Sequence, residues 1–201
     1  MKLYYVPQTR SSRPRWMLEE LGVPYELVRL DPSKGEHQTP EYKSVHPQGK
    51  VPALDAGDGP MIESAAMVVW LADRHLDKGF APALSSPERQ KYLQWIFYSV
   101  ASLEPYLSEL HAHSKNLPEE KRQPAMVARC KELLPGLLQP LEEALAGKEW
   151  LVGGSFSAAD LIVGANLLWA KRLVGLEGYP ALQAYADRLR ARPALKRSFA
   201  D

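Results

Sequence analysis

Cysteine is nearly absent: Cys130 is the only one in 201 residues. A lone thiol excludes an internal disulfide and any multi-cysteine metal site, so no metal is expected. It suits a cytoplasmic chain in which Cys130 is a small core residue on a helix. Long apolar runs are missing as well. No stretch reaches the roughly 18 residues that a membrane span needs. The opening "MKLYYVPQTRSS" has no apolar signal core and reads as a first strand. Neither sign of charge is in excess, and a formal net charge of +1 gives no general pull towards nucleic acid or an anionic membrane. What remains is a chain rich enough in apolar residues for a real core and long enough for one large domain or two small ones.

The strand signal is confined to the first third. "KLYYV" (2–6) is a β-prone run, and "TRSSRPRWMLEELG" (9–22) follows as a helix. That helix has hydroxyls before it, Pro14 in its first turn and Gly22 as its C-terminal cap. "YELVRL" (25–30) is a second strand, and the polar stretch 31–49 leaves room for a short helix. "VPALD" and "PMIE" flank Ala56-Gly57-Asp58-Gly59 and form a hairpin. "SAAMVVWLADRHL" (64–76) closes a βαβαββα order, which implies a mixed sheet with helices on its faces. Residues 78–87 are a linker, so the first domain spans 1–77 and an all-helical one spans 88–201. In the second, Tyr92, Ile96, Ser99, Leu103, Leu107 and Leu110 recur at helical spacing. So do Met126, Cys130, Leu133, Leu137, Leu141 and Leu145, where Pro135 and Pro140 predict a kink or break. "SFSAADLIVGANLLWAKRL" (155–173) is a buried helix with Ser157 and Asp160 in a capping-box pattern and Phe156 and Leu161 as its staple. Two short helices, 179–191 and 194–199, end the chain.

One polar constellation stands out in the first domain. Pro52 sits at the start of a strand, where a proline is tolerated if its bond is cis or its missing N–H is not needed. A cis Val51–Pro52 bond would turn Val51's N–H and C=O outward, open to an extended peptide. Glu63-Ser64 opens a helix, where free N–H groups and the Ser64 hydroxyl suit a carboxylate, while Glu63 can hold an amine. Together these describe a site for a short zwitterionic peptide. A cis-proline turn beside an ordinary serine N-cap explains the same residues, and composition and spacing leave both readings open.

Three motifs carry a resemblance that decides between them. "GKVPAL", then "ESAAMVVWLAD", then "FSAADLIVGANLL" about a hundred residues later resemble the cytosolic glutathione transferase family along nearly the whole chain. "DPSKGEHQTPEYKSVHPQGKVPAL" is similar to bacterial members related to the nu class and to fungal relatives. The resemblance implies an α+β fold with a thioredoxin-like N-terminal domain, an all-α C-terminal domain, glutathione as co-substrate, and a cytoplasmic homodimer active in detoxification. It implies that Val51, beside Pro52, pairs with the cysteinyl backbone of glutathione. Glu63 and Ser64 then hold the γ-glutamyl end, and His37 and Lys50 approach the glycyl carboxylate. Ser102 or Glu104 would reach the partner's site. Asp160 is a buried cap with no catalytic part.

Such chemistry needs a thiolate, and a free thiol with a pKa near 8.5 must be made more acidic. "QTRSSRPR" (8–15) supplies hydroxyls, cations and a helix start between the first strand and first helix. One hydroxyl is expected to cap the helix. For the sulfur contact the order of preference is Ser11, Thr9, Tyr5, with Arg10 as a further glutathione ligand. Beta-class members carry a cysteine where Arg10 stands, which argues against a mixed-disulfide mechanism. The electrophile is expected against the helix from Pro87 to His113, where Trp95, Tyr98, Tyr106 and His111 are candidates, though an aromatic stripe at helical spacing is also ordinary core. The leading function is glutathione transfer to a small hydrophobic electrophile. The alternatives are a glutathione-dependent disulfide-bond reductase and a non-enzymatic glutathione-binding protein. A zeta-type isomerase is disfavoured, because "TRSSRPR" lacks the cysteine of its signature.

Overall fold

The computed structural model describes residues 1–200. They form two compact units, one of Met1–Ala81 with the residues from Ala191 onward, the other Pro82–Arg190.

The first unit is built on a four-stranded sheet in the order β2-β1-β3-β4, with β1 Lys2–Tyr5, β2 Glu26–Arg29, β3 Ala53–Asp55 and β4 Pro60–Met61. β1 runs parallel to β2 and antiparallel to β3, with Tyr4 opposite Ala53. This is the mixed, thioredoxin-like βαβαββα arrangement that the sequence predicts. Helix α1 (Ser12–Leu21) makes the β1–β2 crossover and buries Trp16, Met17, Leu18 and Leu21. Gly22 ends it at φ 65°, donating its N–H to the Leu18 carbonyl. A short α2 (Pro40–Val45) and α3 (Ser64–Arg74) complete the unit's main body.

The chain's last helix, α9 (Pro193–Ser198), joins this first unit and packs on α1. Sequence order alone assigns it to the helical domain. Arg192 clamps Glu20 of α1 with two bonds of 2.6 and 2.8 Å, and Arg197 pairs with Glu19. A planar guanidinium matched to a carboxylate fixes orientation as well as distance. That pairing bridges about 170 residues of chain, and no local pattern reports it.

The second unit is helical. A long run begins as α4 (Glu88–Phe97), widens to a π-helical segment over Tyr98–Leu103, resumes as α5 (Glu104–His111) and widens again over Ala112–Asn116. Pro105 explains the first widening, since it withholds the N–H that Ala101 would receive and its ring crowds that carbonyl. All six residues of the predicted stripe from Tyr92 to Leu110 are buried. Helix α6 spans Pro124–Leu145 as one element, so Pro135 and Pro140 do not break it. Its buried face is Cys130, Leu134, Leu138, Leu141 and Leu145, a step away from the expected Leu133 and Leu137. Helix α7 (Ala158–Val174) is the unit's core, and α8 (Pro180–Ala191) follows. Asp160, in α7's first turn, takes N–H bonds from Leu151 and Ser157 and O–H bonds from Ser157 and Tyr185, all at 2.8–2.9 Å. Burial pushes its carboxyl pKa up while these four donors pull it back. Among the described residues, no helix is long and apolar enough to cross a membrane.

Candidate functional site

Topology brings three loops to one end of the sheet. β1 and β3 are antiparallel neighbours, so the segment leaving β1 (Val6–Ser11) lies beside the segment entering β3 (Lys50–Pro52). Helix α3 packs against α1, and Arg13 of α1 donates to the Ser64 hydroxyl of α3 at 3.3 Å. Both non-glycine residues with positive φ lie in these loops, Gln8 at 58° and Glu63 at 73°. Such conformations are held by their surroundings and gather at functional sites.

The edge at Val51 is open. The Val51–Pro52 bond is cis. The ladder begins only at Ala53, and neither Val51 N–H nor its C=O has a hydrogen-bond partner among the described residues. The preceding carbonyl is anchored instead: Tyr42, buried in α2, donates its hydroxyl to Lys50 C=O at 2.6 Å. Burial raises the Tyr42 pKa to about 12, so this donor stays protonated at any ordinary pH. His37 and Lys50 are brought close by Gly49, which stands at φ 59° where a Cβ would lie 2.4 Å from the His37 carbonyl. Only glycine permits that approach. Behind them His46 is buried, and its Nδ1 accepts the Gln48 N–H at 3.3 Å. Burial lowers its pKa, with the Lys50 charge acting the same way.

The two helix starts differ. At α1 the Ser12 and Arg13 N–H groups bond to the Thr9 and Arg10 carbonyls at 3.1 Å, Pro14 has no N–H, and Arg15 bonds to Ser11 C=O. No side chain caps this helix, contrary to the expectation that one of the hydroxyls must. At α3 the N–H groups of Ser64, Ala65 and Ala66 have no partner among the described residues, and Glu63, the exposed N-cap, makes no side-chain cap bond. Three unspent N–H groups at a dipole's positive end form a seat for an anion.

The three candidate hydroxyls are not equivalent. Ser11 is 1% exposed, and its Oγ lies 3.4 Å from Val6 N and 2.9 Å from Thr9 Oγ1. Tyr5 is 5% exposed under the Arg15 guanidinium, which lies 5.4 Å from its ring centre. Thr9 is half-buried, with Oγ1 2.7 Å from Val6 C=O, while Arg10 is exposed in the same loop. In the helical unit, Tyr98 donates its hydroxyl to Leu137 C=O at 2.8 Å and Trp95 packs edge-on to it. His111 packs edge-on to Trp169. Tyr106 is half-buried, and its hydroxyl has no hydrogen-bond partner among the described residues. Glu104 is 9% exposed and accepts from Asn166 at 3.1 Å, within a knot that includes Ser99, so its carboxylate is already engaged. Ser102 is half-buried.

Sequence reasoning counted Arg13 only among the cations of 8–15 and passed over Tyr42. A signal for Arg13 was present: it precedes Trp16 and Met17 by three and four residues, which puts it on the buried face of α1. Tyr42 is the one buried residue of a short helix.

Comparison with known proteins identifies the family. Residues 1–73 match the family model of the glutathione S-transferase N-terminal domain, and residues 72–193 that of its C-terminal domain. The chain is 31% identical over 199 residues to glutathione S-transferase GstA of Escherichia coli O157:H7, covering 98% of this chain and 96% of that protein. It is 29% identical over 200 residues to the disulfide-bond oxidoreductase YfcG of Escherichia coli K12, covering 96% and 91%. A solved glutathione transferase family member from Pseudomonas fluorescens, with two glutathione molecules bound, superposes with a TM-score of 0.86 at 30% identity, covering 98% of this chain and 91% of that one.

Proposed function

This chain belongs to the glutathione S-transferase family, and from that premise we propose that it binds glutathione across the three loops and directs its thiolate at a small hydrophobic electrophile. The observation that carries the proposal is the pairing of an unpartnered Val51 edge with the three unspent N–H groups of α3. Val51 would pair with the cysteinyl backbone, and the glutamyl carboxylate would sit on Ser64 and the α3 amides. Glu63 would take the ammonium, while His37, Lys50 and Arg10 would face the glycyl end and the outer loop.

Exposure reorders the hydroxyls. A sulfur cannot touch Ser11 or Tyr5 without displacing their neighbours, whereas it can reach Thr9. Thr9 donates to Val6 C=O in this structure; if it gives up that bond and turns its proton to the sulfur, Ser11 can donate to Thr9 Oγ1 and itself accept from Val6 N–H. A chain of donors in one direction strengthens its last bond and so lowers the thiol pKa. The thiolate then forms the new C–S bond while the electrophile's leaving group departs with the bonding pair. Trp95, Tyr98, Tyr106 and His111, all half-buried, are the candidates to line the electrophile site. We further assign a cytoplasmic homodimer in which Ser102, rather than the engaged Glu104, approaches the partner.

The likeness to YfcG and to a relative with two glutathiones bound favours one second reading, disulfide reduction. There glutathione thiolate attacks a disulfide, releasing one thiol, and a second glutathione displaces the other to leave oxidised glutathione. Turnover of a chlorodinitrobenzene against that of hydroxyethyl disulfide tests the choice. Transfer predicts that the chloroarene is consumed with chloride release. Disulfide turnover alone would replace the first reading by the second, and binding without either turnover would reject both.

A further inference from the structure

We propose that Arg13 is a positioning residue that sets the polarity of Ser64 and so selects ligands carrying a γ-glutamyl α-carboxylate; this rests on the glutathione site proposed above. Arg13 is 4% exposed at the second position of α1, and Nη1 lies 3.3 Å from Ser64 Oγ. A guanidinium only donates hydrogen bonds, so Ser64 Oγ must accept here. The Ser64 proton is thereby turned away from Arg13, and it meets no acceptor among the described residues. The adjoining N–H groups of Ser64, Ala65 and Ala66 are unspent as well. The hydroxyl and amides therefore present donors only.

A neutral amide or hydroxyl gains little in such a place, whereas a carboxylate gains from every group. With the exposed carboxylate of Glu63 one residue away, the arrangement reads an anion beside a cation, which is the α-amino-acid end of a γ-glutamyl compound. Lysine also only donates and would keep Ser64 as the acceptor wherever its ammonium reaches Oγ, whereas glutamine can accept and so lets the Ser64 proton turn inward.

The test compares glutathione with γ-aminobutyryl-cysteinylglycine, the same tripeptide without the α-carboxylate, by isothermal titration calorimetry. The wild-type protein should prefer glutathione by about 10- to 100-fold, the range of a charged hydrogen-bonded contact. Arg13→Lys should retain part of that preference, whereas Arg13→Gln should cut it by about fivefold or more, with binding of the analogue unchanged. Ser64→Ala should do likewise, and the double variant Arg13→Gln/Ser64→Ala should lose no more than the worse single one. Equal weakening of both ligands would show a merely structural role and overturn the proposal, as would additive losses in the double variant. If Arg13→Gln does not fold, Arg13→Met, which removes the donor, carries the same comparison. Wild-type protein that binds neither ligand would overturn the site itself and Arg13's role with it.

Discussion

At the residue scale, the chemistry depends on which polar groups are already spent. Thr9 and Ser11 share one short network, yet Ser11 is 1% exposed and Thr9 only half-buried. Thr9→Val should therefore lower kcat/KM by about 10- to 100-fold and raise the acidic limb of its pH profile, the range expected for losing one donor to an anion. Ser11→Ala should lower it less, since Thr9 keeps its own proton; steady-state assays across pH separate the two. His46 adds a pH dependence. Its folded pKa lies below the usual 6.5, so the neutral form is the one that the fold favours. The stability it contributes is complete above pH 6.5 and is lost as pH falls through the folded value. Protonation of Nδ1 would also remove the acceptor for Gln48 N–H, on the turn leading to Lys50 and Val51. Glutathione affinity should fall on acidification below pH 6.5, and His46→Phe should flatten that slope; a profile identical to wild type would refute the role.

At the element scale, the two helix starts show why similar sequences serve different ends. α1 satisfies its first N–H groups with loop carbonyls, and α7 satisfies its cap through Asp160, whereas α3 leaves three amides open. Asp160→Ala would strand two N–H and two O–H donors in the core. It should cost more than about 3 kcal/mol, measured by urea denaturation, with little change in glutathione affinity for the fraction that folds. The π-helical segment before Pro105 has a local cause, but α6 carries two interior prolines and stays one helix. Five buried side chains from Cys130 to Leu145 outweigh the two lost backbone bonds.

At the scale of the whole molecule, the chain's end returns to its beginning: the partly buried Arg192–Glu20 clamp holds α9 on α1. Arg192→Met leaves Glu20 without that partner and should cost about 1–3 kcal/mol, or roughly 2–10 °C in Tm for a chain of this length. An unchanged thermal midpoint would show the clamp to be idle. The order of strands and helices, the buried stripe of the long helix and the polar pair at α3 were all legible beforehand. Each is written in residues within one or two turns of each other, where periodicity and capping act. The rest was not legible, because it joins residues far apart in the chain. Arg13 meets Ser64 across 51 residues, and Arg192 meets Glu20 across 172. Burial likewise decides which hydroxyl a ligand can touch, and burial belongs to the packed fold as a whole. The amino-acid order by itself determined the family of the fold and the residue types in the loop proposed to meet the sulfur. Only tertiary structure decided which donors are spent and which are left to bind, because a hydrogen bond is settled by neighbours in space.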